Sequence, residues 1–331
     1  MSESTLITIN DLKTYFFITE GVVKAVDGVN LDINKGEALG LVGESGCGKS
    51  TVALSIMRLI RPPGKIVGGE IWFEGEDLLR KGESEMRQIR GGRISLISQN
   101  PMSSMNPVFT VGGQIAEAIK LHQNVQRREI KGKVAEILDL VGIPDPSKRM
   151  EDYPHEYSGG MCQRAMTAMA LSCNPQLLIA DEPTTNLDVT IQAQILKLMK
   201  KLRKDFGASV LLIGHDLGVI SELCDKIAVM YAGRVAEYSD LMTVFEKPKH
   251  PYTQALLESI PRLDVEEERL RIIPGTVPRL INPPPGCRFH PRCEQAMTVC
   301  SKQDPVLTEI EKGHKVACFL YDSNVRTKPQ V

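Results

Sequence analysis

Short apolar runs separated by glycine turns and by helical stretches set the rhythm of this chain. Ala38-Leu39-Gly40-Leu41-Val42, Ile94-Ser95-Leu96-Ile97, Leu177-Leu178-Ile179-Ala180 and Val210-Leu211-Leu212-Ile213 are four- or five-residue apolar blocks, the pattern of strands buried on both faces of a parallel sheet. Residues 6–42 instead alternate apolar and polar positions in Leu6 to Ile9, Leu12 to Phe17, Val22 to Val26 and Val29 to Ile33. Gly21, Gly28 and Gly36 stand between them as expected turns, which predicts antiparallel edge structure. Gly69 to Gly75 reads as a further strand, and Ala232-Gly233 between two strand-like runs as a hairpin. Residues 101–174 are mostly helical in pattern, with a charged amphipathic piece from Gln126 to Val141, and a helix is expected from Val189 to Phe206. Strands alternating with helices imply an α/β core, with 101–174 as a helical lobe set into it. Beyond about Phe245 the texture becomes proline-rich and loses its periodicity. We expect one domain over 1–245 and an appended tail over 246–331 that needs a staple.

Composition narrows the class without deciding it. The 331 residues carry a formal net charge of -1, giving no global pull toward nucleic acid or an anionic membrane. No apolar run approaches the ~18–20 residues that span a bilayer. The start, Met-Ser-Glu-Ser-Thr, lacks the basic and apolar regions of a secretory leader, so a cytosolic chain is expected.

The distinctive chemistry begins at Gly43-Glu44-Ser45-Gly46-Cys47-Gly48-Lys49-Ser50-Thr51, which follows an apolar strand and opens a helix. A glycine turn there gathers backbone N–H groups and a positive helix end around one point, which suits phosphate. Lys49 is placed to reach the outer phosphates and the Ser50 hydroxyl to ligate Mg²⁺. A second apolar strand ends in Asp181-Glu182. At the carboxyl end of a parallel strand, Asp181 can hold Mg²⁺ and Glu182 can orient or deprotonate an attacking water. Ser158-Gly159-Gly160 is a capped, bare-backboned helix start that phosphate could approach closely.

Taken together these stretches resemble the ATPases of ABC transporters, and more narrowly the D-type ATPase of dipeptide/oligopeptide importers. The resemblance covers nearly the whole chain and implies a P-loop cassette: a RecA-like parallel-sheet core, an antiparallel β edge, a helical subdomain and an irregular Cys-rich tail. It gives Gly43 to Thr51 the role of Walker A, Ser158 to Gln163 the signature, including Gly159 and Gly160, and Leu177 to Glu182 Walker B. Thr185 to Asp188 resembles the D-loop, His215 the switch histidine that senses the γ-phosphate, and Gln99 the Q-loop residue beside Mg²⁺ and water. Phe16 is the expected adenine-stacking aromatic, with Tyr15 as second choice. The narrower assignment rests on His250-Pro251-Tyr252-Thr253 and on Pro285 to Cys293, which is similar to the tail of peptide and nickel importers.

What the resemblance implies is an ATP-hydrolysing subunit at the cytoplasmic face of the membrane. It would pair head to tail with a second, F-type ATPase on two transmembrane permease subunits served by an extracytoplasmic solute-binding protein. Dipeptides or oligopeptides are the expected cargo, with nickel and sugars open. The rival class, soluble ABC ATPases acting on ribosomes or DNA, usually carries two cassettes or a long coiled coil. Finally, Cys287, Cys293, Cys300 and Cys318 cluster in the tail without close C-x₂-C pairs. We expect a [4Fe–4S] cluster there as the structural staple, ahead of zinc or unligated thiols.

Overall fold

The structure is a computed structural model, and it describes residues 4–99, 104–184, 189–259 and 273–322. In chain order the elements are β1 (Thr5–Ile18), β2 (Gly21–Asn34), β3 (Ala38–Val42), α1 (Lys49–Ile56), β4 (Gly64–Phe73), β5 (Glu76–Asp77), α2 (Glu83–Ile89), β6 (Ile94–Ile97) and α3 (Val111–His122). There follow α4 (Ile130–Leu140), α5 (Pro146–Arg149), α6 (Gly159–Leu171), β7 (Leu177–Asp181), α7 (Val189–Phe206), β8 (Ser209–Gly214) and α8 (Leu217–Leu223). The carboxy-terminal part holds β9 (Lys226–Tyr231), β10 (Arg234–Asp240), α9 (Leu241–Glu246), α10 (Pro251–Glu258), β11 (Thr308–Glu311) and β12 (His314–Val316). The chain divides into two compact units, one of Met1–Leu6, Ile33–Ala38 and Glu74–Ile213, the other of Ile7–Asp32, Leu39–Phe73 and Gly214–Val331.

In the first unit β6, β7 and β8 run parallel, with Ile97 opposite Ala180 and Ala180 opposite Leu212. Every residue of β7 is buried, as its unbroken apolar sequence requires of a strand covered on both faces. The helical stretch between β6 and β7 contains α3, α4 and α6 packed on one another, with α6 also against β6. Apolar stripes Ile115/Ile119 and Ile130/Val134/Leu138, at the spacing of one helical face, form that contact.

In the second unit β1 pairs antiparallel with β4, and β3 pairs parallel with β9. The expected breaks inside β1 and β2 are not chain reversals. Asp11 adopts φ 46 and Gly28 φ 85, and the β1–β4 register shifts just past Asn10, so each point is an irregularity within a longer strand. The Asn30 side chain accepts the Asp11 N–H at 2.9 Å and closes the gap. The hairpin at Ala232-Gly233 is as expected. Both residues have positive φ, 46 and 88, the mirror-image turn whose twist matches the strands β9 and β10 that it joins.

The tail departs most from its sequence reading. Instead of an irregular appendage, β12 adds to β10 and β11 adds to β12, so the tail extends the sheet of its own unit. Phe289 is buried in an edge-on contact with Tyr231, ring centroids 5.2 Å apart, and beside Tyr252 at 5.4 Å. Arg288 is bonded to the Asp27 carboxylate and to the Ala232 carbonyl. The fully buried Glu237 accepts the backbone N–H groups of Lys249 and His250 and lies 2.7 Å from His314 Nε2.

These attachments bear on the cysteines. The [4Fe–4S] cluster expected from Cys287, Cys293, Cys300 and Cys318 is overturned. Among the described residues no group of three or more His, Cys, Asp or Glu side chains could hold a metal ion, which removes the zinc alternative as well. All eight cysteines are free, and burial pushes the Cys287 thiol up to about 11 and that of Cys318 to about 12. The expectation of a staple rests on a tail that reads as short, proline-rich and irregular, burying too little to hold itself together. Sheet pairing, a buried aromatic cluster and arginine–carboxylate pairs do that work.

Candidate functional site

The phosphate loop grows from β3, all five residues of which are buried. Gly43, Gly46 and Gly48 have φ 151, 80 and 106, a region that side chains rarely enter. Space excludes side chains too. A Cβ at Gly43 would lie 2.1 Å from the Met230 carbonyl oxygen, and one at Gly48 2.1 Å from that of Ala25. Gly48 is also the N-cap of α1, so the loop delivers the chain straight into a helix start. Cys47 is buried beneath the loop with its carbonyl accepting the Gly233 N–H at 2.8 Å. Burial raises its thiol, so Cys47 serves the loop through its backbone.

Lys49 folds back over the loop, its Nζ donating to the Gly43 carbonyl at 2.7 Å and to the Glu44 carbonyl at 3.2 Å. Ser45, Gly46 and Ser50 are exposed and Thr51 is half-buried. Phe16 is half-buried on β1, beside Gly64 of β4 in register. The Tyr15 hydroxyl donates to Asp27 at 2.5 Å and is pushed up to about 12 by burial and that contact, so it belongs to the Asp27–Arg288 cluster. His215 is exposed between β8 and α8, where Asp216 caps α8 by accepting the N–H groups of Gly218 and Val219.

The first unit carries the carboxylates. Asp181 ends β7 and is nearly buried. Glu182 follows at φ 48, a left-handed backbone uncommon for a glutamate, with its N–H on the Ile213 carbonyl at 2.9 Å. Gln99, just past β6, donates its amide to Glu182 Oε2 at 2.6 Å. The structure therefore brings together two residues that lie 83 positions apart in the sequence. Ser158 caps α6 by accepting the Met161 N–H at 3.3 Å; it and Gly159 are exposed, and Gly160 is half-buried. Gln163 points inward and donates to the Pro183 carbonyl at 2.7 Å, bracing the turn that follows Glu182. Asp188 and the rest of Thr185 to Asp188 lie outside the described residues.

Sequence reasoning left two residues at the loop unassigned. Tyr252 Oη accepts the Glu44 N–H at 3.0 Å, and Arg292 forks onto the Glu44 carboxylate at 2.8 and 3.2 Å. Both sit in the His-Pro motifs His250-Pro251-Tyr252 and His290-Pro291-Arg292, whose repetition was the available signal.

Within the first unit, the Asp181 carboxylate and the Gln99 amide oxygen, whose nitrogen is spent on Glu182, are hard oxygen donors of the kind magnesium prefers.

Comparison with known proteins agrees with this picture. The family model described as ABC transporter matches residues 26–185, and that described as oligopeptide/dipeptide transporter, C-terminal region, matches 236–300. A probable peptide ABC transporter ATP-binding protein of Sinorhizobium fredii is 53% identical over 316 residues, covering 95% of this chain and 94% of the relative. The oligopeptide transport ATP-binding protein AppD of Bacillus subtilis is 51% identical over 320 residues, covering 96% and 98%. Among solved structures, a dimeric ATP-binding cassette in a post-hydrolysis state bound to ADP and Pi aligns with a TM-score of 0.65 at 26% identity. It covers 71% of this chain and 99% of that one. The cassette fold, the ATPase activity and the carboxy-terminal region thus point one way, and the chain belongs to the ABC transporter ATPases that carry the oligopeptide/dipeptide transporter C-terminal region.

Proposed function

We propose that this chain is the ATP-hydrolysing subunit of an importer for dipeptides or oligopeptides. The observation that carries the reading is the Gly43–Thr51 cradle. Its three glycines adopt conformations that side chains rarely enter, Gly43 and Gly48 also leave no room for one, and Lys49 stands over it. Close relatives of similar length are named for peptide and oligopeptide transport, which supports the choice of cargo.

In this reading the loop N–H groups and the start of α1 bind the phosphates, and Lys49 exchanges its hold on Gly43 and Glu44 for the outer phosphates. Phe16 stacks on the adenine. Magnesium would be held by Ser50, Asp181 and Gln99 and would neutralise charge on the phosphates. Glu182, held by Gln99, orients the attacking water and accepts its proton, and His215 senses the γ-phosphate.

The signature residues Ser158, Gly159 and Gly160 serve a nucleotide on a second ATPase in a head-to-tail pair, with Asp188 completing that interface. A Cβ at Gly159 would meet nothing within 4 Å, so this chain's own packing does not require a glycine there, whereas a docking nucleotide would. We take the second ATPase to be a distinct, F-type chain, and both to sit peripherally on two permease subunits at the cytoplasmic face. No helix of the described residues is long and apolar enough to cross a membrane. The cassette is proposed to end near residue 245, with 246–331 as the extension.

The test is uptake of a labelled oligopeptide by cells or vesicles holding the assembled transporter. Replacing Lys49 with Ala should abolish ATP-dependent uptake. Unchanged peptide uptake in that variant, or ATP-driven uptake of a metal or sugar alone, overturns the proposal or its cargo respectively.

A further inference from the structure

The two His-Pro motifs of the extension converge on one residue of the phosphate loop. Every polar group of Glu44 is engaged there. Its N–H donates to the wholly buried Tyr252, and its carbonyl accepts from Cys47 N–H at 3.2 Å and from Lys49. Its carboxylate receives both terminal nitrogens of Arg292. The Arg292 side chain is only 5% exposed and is itself pinned, with Nε on the Pro274 carbonyl at 2.7 Å and Nη1 3.3 Å from the Tyr231 hydroxyl.

A single ion pair at a surface is worth little, but a two-pronged guanidinium–carboxylate contact with an enclosed arginine fixes both partners in one geometry. Its place matters as much as its strength. Glu44 puts a negative charge into a loop that has to receive a polyanion, and uncancelled charge there opposes phosphate binding. We propose that Arg292 is a positioning residue for the nucleotide: it cancels the Glu44 charge and, with Tyr252, holds the first residues of the loop in their binding conformation. This rests on the ATP reading of the loop given above. It assigns the carboxy-terminal extension a task at the nucleotide site of its own chain.

The test is a double-variant cycle on the full-length chain, titrated with ATP and, separately, with adenosine. Arg292→Met should weaken ATP by about 10-fold or more, because it leaves the Glu44 charge uncancelled, while adenosine affinity stays within about 2-fold. Combining Arg292→Met with Glu44→Gln should bring ATP affinity back to that of Glu44→Gln alone, because the charge that Arg292 cancels is then gone. A tail that mattered only for folding would not be rescued by removing its partner's charge, nor would it separate ATP from adenosine. Parent-like ATP affinity in Arg292→Met, or a double variant as weak as Arg292→Met, overturns the proposal. Should Arg292→Met not fold, Arg292→Gln keeps the donors without the charge and carries the same comparison. Lys49→Ala separates the two layers. If it binds ATP like the parent, the ATP reading falls and this proposal with it; if it loses ATP while Arg292→Met does not, only the role of Arg292 falls.

Discussion

The Gln99 amide donates to the Glu182 carboxylate across 2.6 Å, so the residue proposed to handle water is aimed by a side chain from the end of a neighbouring parallel strand. Glu182→Gln removes the acceptor of the water's proton and leaves size and loop untouched. It should bind ATP like the parent and hydrolyse it about 10²–10⁴-fold more slowly, the range for loss of a positioned general base. Gln99→Ala leaves the carboxylate in place but removes its orienting donor and one proposed magnesium ligand, and should cost less than loss of the base, about 10-fold at saturating magnesium. Single-turnover hydrolysis in the assembled complex, repeated across magnesium concentrations, distinguishes them. A loss that magnesium does not relieve is the orienting role, and a loss equal to that of Glu182→Gln at saturating magnesium overturns it.

The cradle makes a sharper demand. At Gly48 a methyl group would both force φ 106 on an alanine and bring carbon to 2.1 Å from the Ala25 carbonyl oxygen. Strain of this kind costs about 1–3 kcal/mol before the clash is counted. Gly48→Ala should therefore lower the melting temperature and lose ATP binding together. At Gly46, where a Cβ would meet nothing within 4 Å, Gly46→Ala should bear the conformational cost alone and be the milder change. Thermal melts with and without ATP test the order.

Gly159 gives the opposite case. It is exposed and its Cβ direction is open, so Gly159→Asp should fold and melt like the parent and bind ATP normally as an isolated chain. If the signature faces a partner's nucleotide, hydrolysis in the assembled complex should nonetheless collapse, because a carboxylate would meet the γ-phosphate. Full activity of the variant complex would remove Ser158-Gly159-Gly160 from the nucleotide site.

The parallel strands were legible because burial on both faces writes itself as an unbroken apolar run, as in Leu177 to Ala180. The glycine loop was legible because its conformations admit so few residues. The continuity of β1 through Asp11 was not, since a bulge and a turn carry the same local signal. The support of the tail was least accessible. Arg292 meets Glu44 across 248 positions and Arg288 meets Asp27 across 261, and one sequence holds no record of such pairings. With those contacts invisible, four clustered cysteines looked like the means of holding the tail, and the [4Fe–4S] inference followed from that gap.

The tail also makes stability depend on pH through His250. This histidine is fully enclosed, its Nδ1 accepting the Tyr252 N–H at 3.0 Å as the cap of α10, and a backbone contact with Ala317 on its other side. Burial pushes it down to about 4, against a usual value near 6.5. The unfolded chain therefore takes up a proton below about pH 6.5 that the folded chain refuses until about pH 4. The stabilisation is complete above 6.5, falls progressively between 6.5 and 4, and levels off below, with a total on the order of 3 kcal/mol. Asp27 works the other end of the scale. Burial opposes its ionisation, but the Tyr15 hydroxyl, Arg288 and Arg234 outweigh that and hold its carboxyl below the usual range, so its contribution is lost only at lower pH. His250→Asn keeps a capping side chain for α10 and removes the titration. Urea midpoints measured from pH 7.5 down to 4.5 should fall steeply for the parent and more gently for His250→Asn. Parallel curves for the two proteins would show that His250 accepts its proton without cost.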